Sequence, residues 1–262
     1  MKRYIKLYLQ FLKNALIRES MFRVNFLSHT IAEIINVTIG ILGFHIIFGQ
    51  ITFLAGWTYH EIMLLYGTAS IIRGMYFGPF IQNMGQLSKH INRGTLDFVL
   101  LKPISSQFYV STRKIRLFSI TPLISGIGLV ILNLNSLKIN PTFSNLILYL
   151  ALILVSVILC YSLWFISTTP AIWFPQIRQL HEIFISLYSF SRYPPEIFSK
   201  SAVLFFTYAI PLLVIAVTPT KVFLGRAALL ETLLLPTIAF ILLFISNRFW
   251  LFALRHYSSA SS

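Results

Sequence analysis

Long apolar runs alternate with short polar stretches along the chain. A helix that crosses a bilayer needs about 20 predominantly apolar residues, and several of the runs approach or exceed that length. The runs predicted to cross are residues 22–48, 60–81, 117–134, 144–168, 177–191 and 233–252. The pattern therefore predicts an all-α membrane protein with six transmembrane helices in a single domain, residues 1–262.

Residues 1–20 follow a different pattern. Ile5, Leu9, Leu12 and Leu16 recur at helical spacing, and basic side chains lie between them. A helix of this kind lies along a membrane surface, with its apolar face at the acyl boundary and its basic residues toward anionic lipid. We therefore expect an interfacial elbow helix on the cytoplasmic side. A simple extension of the first span is the alternative.

Residues 194–226 are the ambiguous part of the topology. Residues 201–218 are apolar and near the minimum length for a span, but Pro211 interrupts them and Pro219 follows. The basic amino-terminal segment, the basic loop 82–116 and the carboxyl end should all be cytoplasmic, because basic loops stay inside. Two cytoplasmic ends require an even number of spans. We therefore expect a re-entrant helical hairpin at the outer face, with a seventh full span as the alternative.

Composition supports the membrane class and narrows the range of functions. Of the 262 residues, 56% are hydrophobic and 11% are charged, whereas soluble domains carry about 25% charged residues. The net charge of +14 lies in a few loops and at the ends of spans, as the positive-inside rule describes. We therefore expect contacts with membrane lipids and no nucleic-acid binding.

The basic loop of residues 82–116 separates the second and third predicted spans. Its basic residues, set against the single acid Asp97, are Lys89, Arg93, Lys102, Arg113, Lys114 and Arg116. Met84, Leu87 and Ile91 fall at positions i, i+3 and i+7 and predict an amphipathic helix of about three turns that ends near Gly94. The apolar side of such a helix lies on headgroups or inserts into a groove on a partner protein.

Residues that carry chemistry are scarce. The sequence has no GxxxxGK[ST] loop for phosphate, its histidines are scattered, and only seven of its residues are acidic. We therefore expect no catalytic residues, no metal site and no cofactor on this chain. Cys160 lies within an apolar run, where a buried core side chain is the expected role.

Two ionisable residues fall at membrane depth, Glu33 in the first predicted span and Arg73 in the second. Both lie at a similar distance from the inner ends of their spans. An unpaired charge at that depth costs on the order of 3 kcal/mol or more. We therefore expect an ion pair that fixes the first two spans together, with a polar patch on a substrate path as the alternative.

The run from Ile91 to Ser105, INRGTLDFVLLKPIS, resembles the G-x-L-D-x-x-L-x-K-P signature of type-2 ABC-exporter permeases. The matching residues are Gly94, Leu96, Asp97, Leu100, Lys102 and Pro103. A weaker resemblance lies in SRYPPEIF, which contains Tyr193, Pro194, Pro195 and Glu196. The Ile210-Pro211 and Thr218-Pro219 pairs are similar to the pattern that precedes the last span in that family.

The resemblance implies an architecture like that of type V ABC exporters: six spans, an elbow helix, a coupling helix and re-entrant outer helices. The coupling helix maps onto Met84, Leu87, Ser88, Lys89, Ile91 and Arg93, and the hinge that follows it maps onto residues 94–103. The outer re-entrant region maps onto Tyr193, Pro194, Pro195, Glu196 and Pro211. The implied localisation is the plasma (inner) membrane, with both termini cytoplasmic.

The resemblance also implies partners. Two copies of a separate ATPase subunit would bind ATP and Mg, and a second permease, identical or paralogous, would complete the assembly. Spans rich in Phe, Leu and Ile favour export of an amphiphilic or lipid-like compound, because such walls do not repay the desolvation of a highly charged substrate. The alternative is a non-transporting membrane anchor that recruits a soluble partner through the basic loop.

Overall fold

The computed structural model describes residues 2–174 and 180–257, and the regular structure within these ranges is helical. The helices are α1 Lys2–Met21, α2 Arg23–Phe48, α3 Tyr59–Tyr76, α4 Gln82–Met84, α5 Leu87–Asn92, α6 Asp97–Leu100, α7 Ser106–Thr112, α8 Ile120–Ser136, α9 Phe143–Thr168, α10 Leu180–Tyr188, α11 Lys200–Leu204, α12 Val214–Phe223 and α13 Leu229–Arg255. The predicted fold class, an all-α membrane protein, is consistent with this architecture.

The amino-terminal helix α1 is separate from α2. Phe22 lies between them with φ −110° and ψ 54°, which is not helical. The side chains of Phe11 and Ala15 in α1 pack against Ile115 of the basic loop. Because α1 turns back onto the loop, it does not simply extend the first span. Its position at the membrane interface remains a prediction.

Helix α3 is the centre of the bundle and packs against α8, α9 and α12. It begins with a capping box, in which the Thr58 hydroxyl accepts from the backbone N–H of Glu61 and the Glu61 carboxylate accepts from that of Thr58. Fourteen of its 18 residues are buried. A π-helical turn, Phe77–Ile81, then carries the chain into α4 at the start of the basic loop.

Glycines bring α3 and α8 into backbone contact. A Cβ atom added at Gly126 of α8 would lie 2.6 Å from the carbonyl oxygen of Gly67, and one added at Gly74 would lie 2.8 Å from the backbone N of Leu123. Neither space admits a side chain, since a carbon atom does not approach an oxygen or nitrogen to which it is not bonded so closely. Small residues permit this type of close helix packing.

Within the described ranges, four helical segments are long and apolar enough to cross a membrane: residues 23–48, 117–136, 143–172 and 229–255. They coincide with four of the six predicted spans. Helix α3, at the second predicted span, is less apolar because it faces protein on most sides. Helix α10 covers part of the fifth, whose start falls at residues 177–179, outside the described ranges. The count of six remains a prediction.

Residues 200–223 form a sharply broken helix. The segments Lys200–Ala209 and Val214–Phe223 meet at an angle of 97°, and Pro211 lies in the break between them. The predicted interruption at Pro211 is confirmed, because proline cannot continue the hydrogen-bonding pattern of a helix. The bend fits either a re-entrant hairpin or one broken span, and counting it as a span raises the candidates to five.

Candidate functional site

The basic loop of residues 82–116 folds into short helices. The predicted helix of about three turns over residues 84–93 is wrong in extent. A turn at Gly85 and Gln86 interrupts the helix, and α5 has only six residues. The predicted end near Gly94 is confirmed. Gly94 has φ +63°, a left-handed conformation that closes helices and that glycine adopts without strain.

The apolar ridge of this segment faces into the chain. Met84, Leu87 and Ile91 are only 2%, 1% and 4% exposed, and Ser88 is also buried. Helix α5 packs against the 3₁₀ turn that follows α9. The prediction that this ridge contacts headgroups or a partner is therefore wrong. The rest of the chain covers these side chains and already removes them from water. A charge at Leu87 would disturb folding before it disturbed a partner.

A different set of side chains faces outward, which we call the loop surface. It consists of Lys89, Arg93, Phe98, Leu101 and Lys102. Phe98 and Leu101 are 69% and 80% exposed, beside the exposed cations of this surface. Sequence reasoning missed these two residues. The signal was their spacing, since Phe98 and Leu101 lie three residues apart on a side that the buried Val99 does not share.

The hinge residues hold this surface in place. Leu96 is fully buried, and its backbone N–H donates to the carbonyl of His90 at 3.2 Å. Asp97 begins helix α6, where an acidic residue is favourable near the helix amino terminus. Lys102 lies 5.5 Å from the ring centre of Tyr109. Pro103 is exposed and follows it.

A concave site of about 450 Å³, which we call the basic pocket, adjoins the loop surface. Its cationic lining residues are Lys89, Arg93, Lys102, Arg113 and Lys114. No aspartate or glutamate is among the described residues that line it. The fold thus gathers five of the six predicted loop cations around one cavity, and Arg116 lies outside it.

Hydrogen bonds and ring contacts orient these cations. The Lys114 ammonium donates to the Gln86 side-chain carbonyl at 2.7 Å, and the Arg113 guanidinium lies 5.4 Å from the ring centre of Tyr109. Burial, with help from Arg113, lowers the pKa of Lys114. Burial and the neighbouring Arg113, Lys114 and Arg93 lower the pKa of His90. The site therefore favours an anion.

Glu33 and Arg73 form the predicted ion pair. An Arg73 guanidinium nitrogen lies 3.0 Å from a Glu33 carboxylate oxygen, and the side chains of Arg73 and Glu33 are only 13% and 15% exposed. The same guanidinium donates to the side-chain amide oxygen of Asn36 at 3.3 Å and lies 5.0 Å from the ring centre of Phe77. The pair joins α2 to α3, as the structural interpretation requires.

A second charged cluster lies beside the start of α3, at the end of the helix away from the basic loop. Glu196 accepts from the Trp57 indole N–H at 3.2 Å, and Lys221 lies 4.0 Å from Glu196 and 2.9 Å from Glu231. Pro194 and Pro195 lead into the 3₁₀ turn that carries Glu196, and the Tyr193 ring lies 5.6 Å from that of Phe44. These contacts give the residues of the SRYPPEIF stretch a structural role.

The described residues contain no group of three or more His, Cys, Asp or Glu side chains that could hold a metal ion.

A family model of ABC-2 family transporter proteins matches residues 34–261. The chain belongs to the ABC-2 transporter family. As an ABC-2 permease it is a transmembrane subunit of an ABC transporter and is not itself the ATPase. Membership of the family implies that it associates with an ATP-binding subunit. A comparison with curated proteins found no match.

The match covers the basic pocket, the loop surface and the second charged cluster of this ABC-2 permease. The resemblance predicted from INRGTLDFVLLKPIS is therefore confirmed at the level of the family. Several apolar helices and the family together make it a multi-pass membrane protein.

Proposed function

We propose that the ABC-2 permease docks its ATP-binding subunit through the loop surface and the basic pocket. The observation that carries this proposal is the exposure of Phe98 and Leu101 beside five converging cations. Exposed apolar side chains surrounded by charge are typical of protein interfaces, where the apolar centre supplies affinity and the charges steer association. The buried ridge of Met84, Leu87 and Ile91 supports this surface from within.

The topology that we propose has six spans and both termini in the cytoplasm. In it, α3 crosses at the centre of the bundle, where its low apolarity costs little because protein covers it. Helices α11 and α12 form the outer re-entrant hairpin, and the protein resides in the plasma (inner) membrane. The concentration of basic residues in α1 and in residues 82–116 supports this orientation.

The transport activity that we propose is ATP-driven export of an amphiphilic or lipid-like compound. Two permeases, identical or paralogous, would act with two copies of the ATP-binding subunit, which carry ATP and Mg. The apolar composition of the spans supports this substrate class, because a strongly charged solute would lose its hydration there without compensation. Helix α2 exposes most of its apolar residues, as a face toward lipid or a second permease requires.

The test is co-purification of the ATP-binding subunit with Phe98→Asp and Leu101→Asp variants in mild detergent. We expect each variant to lose most of the bound subunit and of the permease-dependent ATP turnover. Phe53→Asp is the matched control, since Phe53 is 61% exposed in the loop between α2 and α3, away from the basic loop. Retention of the subunit by both loop variants would refute the docking surface. Docking without permease-dependent turnover would instead indicate a membrane anchor.

A further inference from the structure

A second large concavity lies on the side of the bundle, which we call the lateral groove. Its volume is about 780 Å³, within the range of about 300–1,000 Å³ that small-molecule sites occupy. Helices α1, α7, α9 and α13 all contribute to it. The docking function proposed above does not use it.

The walls of the lateral groove are apolar. Its apolar aliphatic and aromatic side chains along α9 and α13 are Val157, Ile158, Phe240, Leu243 and Phe244. Phe240 and Phe244 are 57% and 60% exposed on a helix that is long and apolar enough to span the membrane. The groove is therefore open along its length toward the position that lipid would occupy.

One end of the lateral groove is polar but carries no charge. Gln107, Ser111, Tyr161 and Asn247 lie there. The Tyr161 hydroxyl donates to the Ser111 hydroxyl at 3.4 Å. Asn247 is exposed in the groove and lies about 10 Å along α13 from Phe240, at the helical rise of about 1.5 Å per residue. The Gln107 side-chain amide donates to the Ser246 hydroxyl at 3.4 Å and the Ser111 hydroxyl donates to the Gln107 backbone carbonyl at 2.7 Å. The exposed amide of Asn247 is therefore the group at this end that a hydrogen-bonding ligand would meet first.

The charge of the lining selects the ligand. The chain carries 21 lysine and arginine residues, yet none of them lines the lateral groove. The Arg248 guanidinium lies 5.0 Å from the ring centre of Phe244, but Arg248 does not line the groove, so an anionic head would find no cation among the lining side chains. We propose that the groove is a binding site for a lipid-like amphiphile whose uncharged head, bearing hydroxyl or amide groups, meets Asn247 beside Gln107 and Ser111 while its chain lies along α9 and α13. The proposal rests on the proposed function only in treating this amphiphile as the transported compound.

The test is photolabelling of the full chain in phosphatidylcholine nanodiscs with a diacylglycerol that carries a diazirine in its acyl chain. We expect labelled peptides from α9 and α13, and weaker labelling by phosphatidic acid with the same chains. Val157→Trp should reduce labelling about tenfold by filling the groove. Leu154→Trp is the matched control, because Leu154 is exposed on the same helix but does not line the groove, and its labelling should stay unchanged.

A second variant removes the head contact without filling the groove. Asn247→Leu should reduce diacylglycerol labelling about fivefold, as the loss of one hydrogen bond predicts, and should leave phosphatidic acid labelling unchanged. Equal labelling of Val157→Trp, Leu154→Trp and wild type would reduce the ligand to ordinary surrounding lipid and overturn the proposal. Stronger labelling by phosphatidic acid would overturn the neutral head, and cysteine cross-linking of two chains through position 244 would show that a second copy covers the groove.

These outcomes are separable from failure of the proposed function, because labelling needs neither the ATP-binding subunit nor ATP. Labelling that persists in a chain without permease-dependent ATP turnover would leave the binding site standing and remove only the transport role.

Discussion

The basic pocket and the lateral groove lie on opposite sides of one short helix. Gln107 and Ser111 of α7 line the groove, whereas Tyr109 and Arg113 line the pocket. Each pair is four residues apart, and the two pairs are offset by two residues, so they point in nearly opposite directions. Helix α7 thus separates a cavity that is rich in positive charge from one that has none.

The difference in charge between the two cavities follows the solvent exposure of the side chains that line them. Arg113 is exposed, while Gln107 and Ser111 are 9% and 1% exposed. A cation is tolerated where solvent or an anionic partner compensates it, and a buried hydroxyl or amide is tolerated where another polar group pairs with it. The comparison teaches that charge in this family member is sorted by side-chain direction within a single helix as well as by loop and span.

The largest effect is expected from moving a cation to the wrong side of α7. Ser111→Arg would place an unpaired charge where the wild-type side chain is buried, at a cost on the order of 3 kcal/mol. We expect a large loss of monodisperse protein and a lower midpoint of thermal unfolding in detergent. Ser111→Met, which adds bulk without charge, is the control. Equal behaviour of the two variants would show that volume, rather than charge, limits the groove.

A smaller effect is expected from removing cations on the correct side. Lys102 and Arg113 flank the Tyr109 ring, and replacing both by Gln should weaken binding of the ATP-binding subunit about tenfold at low ionic strength. The difference should shrink as salt rises, because screening weakens charge attraction at the surface. The matched control is the double variant Lys138→Gln and Lys200→Gln. A loss that is independent of salt would contradict an electrostatic role for the pocket.

The smallest effect is a pH dependence that belongs to the pocket. Because the folded protein lowers the pKa of His90, the unfolded chain binds more protons as pH falls below about 6.5. The stability of wild type should therefore be highest above that pH and decrease below it. The His90→Gln variant should show a weaker decrease, measured as the difference in thermal midpoint between about pH 7.5 and pH 5.5. A wild type that gained stability relative to the variant in acid would reverse the sign.

Local rules predicted several features of this molecule. The ion pair of Glu33 and Arg73 followed from the cost of a lone charge at membrane depth, and the helix end at Gly94 followed from its flanking pattern. The break at Pro211 followed from the missing backbone donor. Each of these features depends on one or two neighbouring turns or spans, and the sequence contains that information directly.

The basic pocket and the lateral groove could not be predicted from local sequence patterns. An amphipathic pattern shows that Leu87 and Ile91 share a side of a helix, but it does not show whether the chain itself or a partner covers that side. The basic pocket requires α5 and the end of α7 to meet across the loop. That meeting depends on tertiary contacts such as those between Asn83 and the backbone of Lys114.

The glycine contacts between α3 and α8 have a mechanical consequence. These two helices enter and leave the segment that carries the loop surface, and at Gly67 and Gly126 their backbones touch without intervening side chains. Interdigitated side chains can change rotamer and let helices slide, but backbones in direct contact have no such freedom. We infer that α3 and α8 move together, so a displacement made at the loop surface reaches the opposite end of the bundle with little loss.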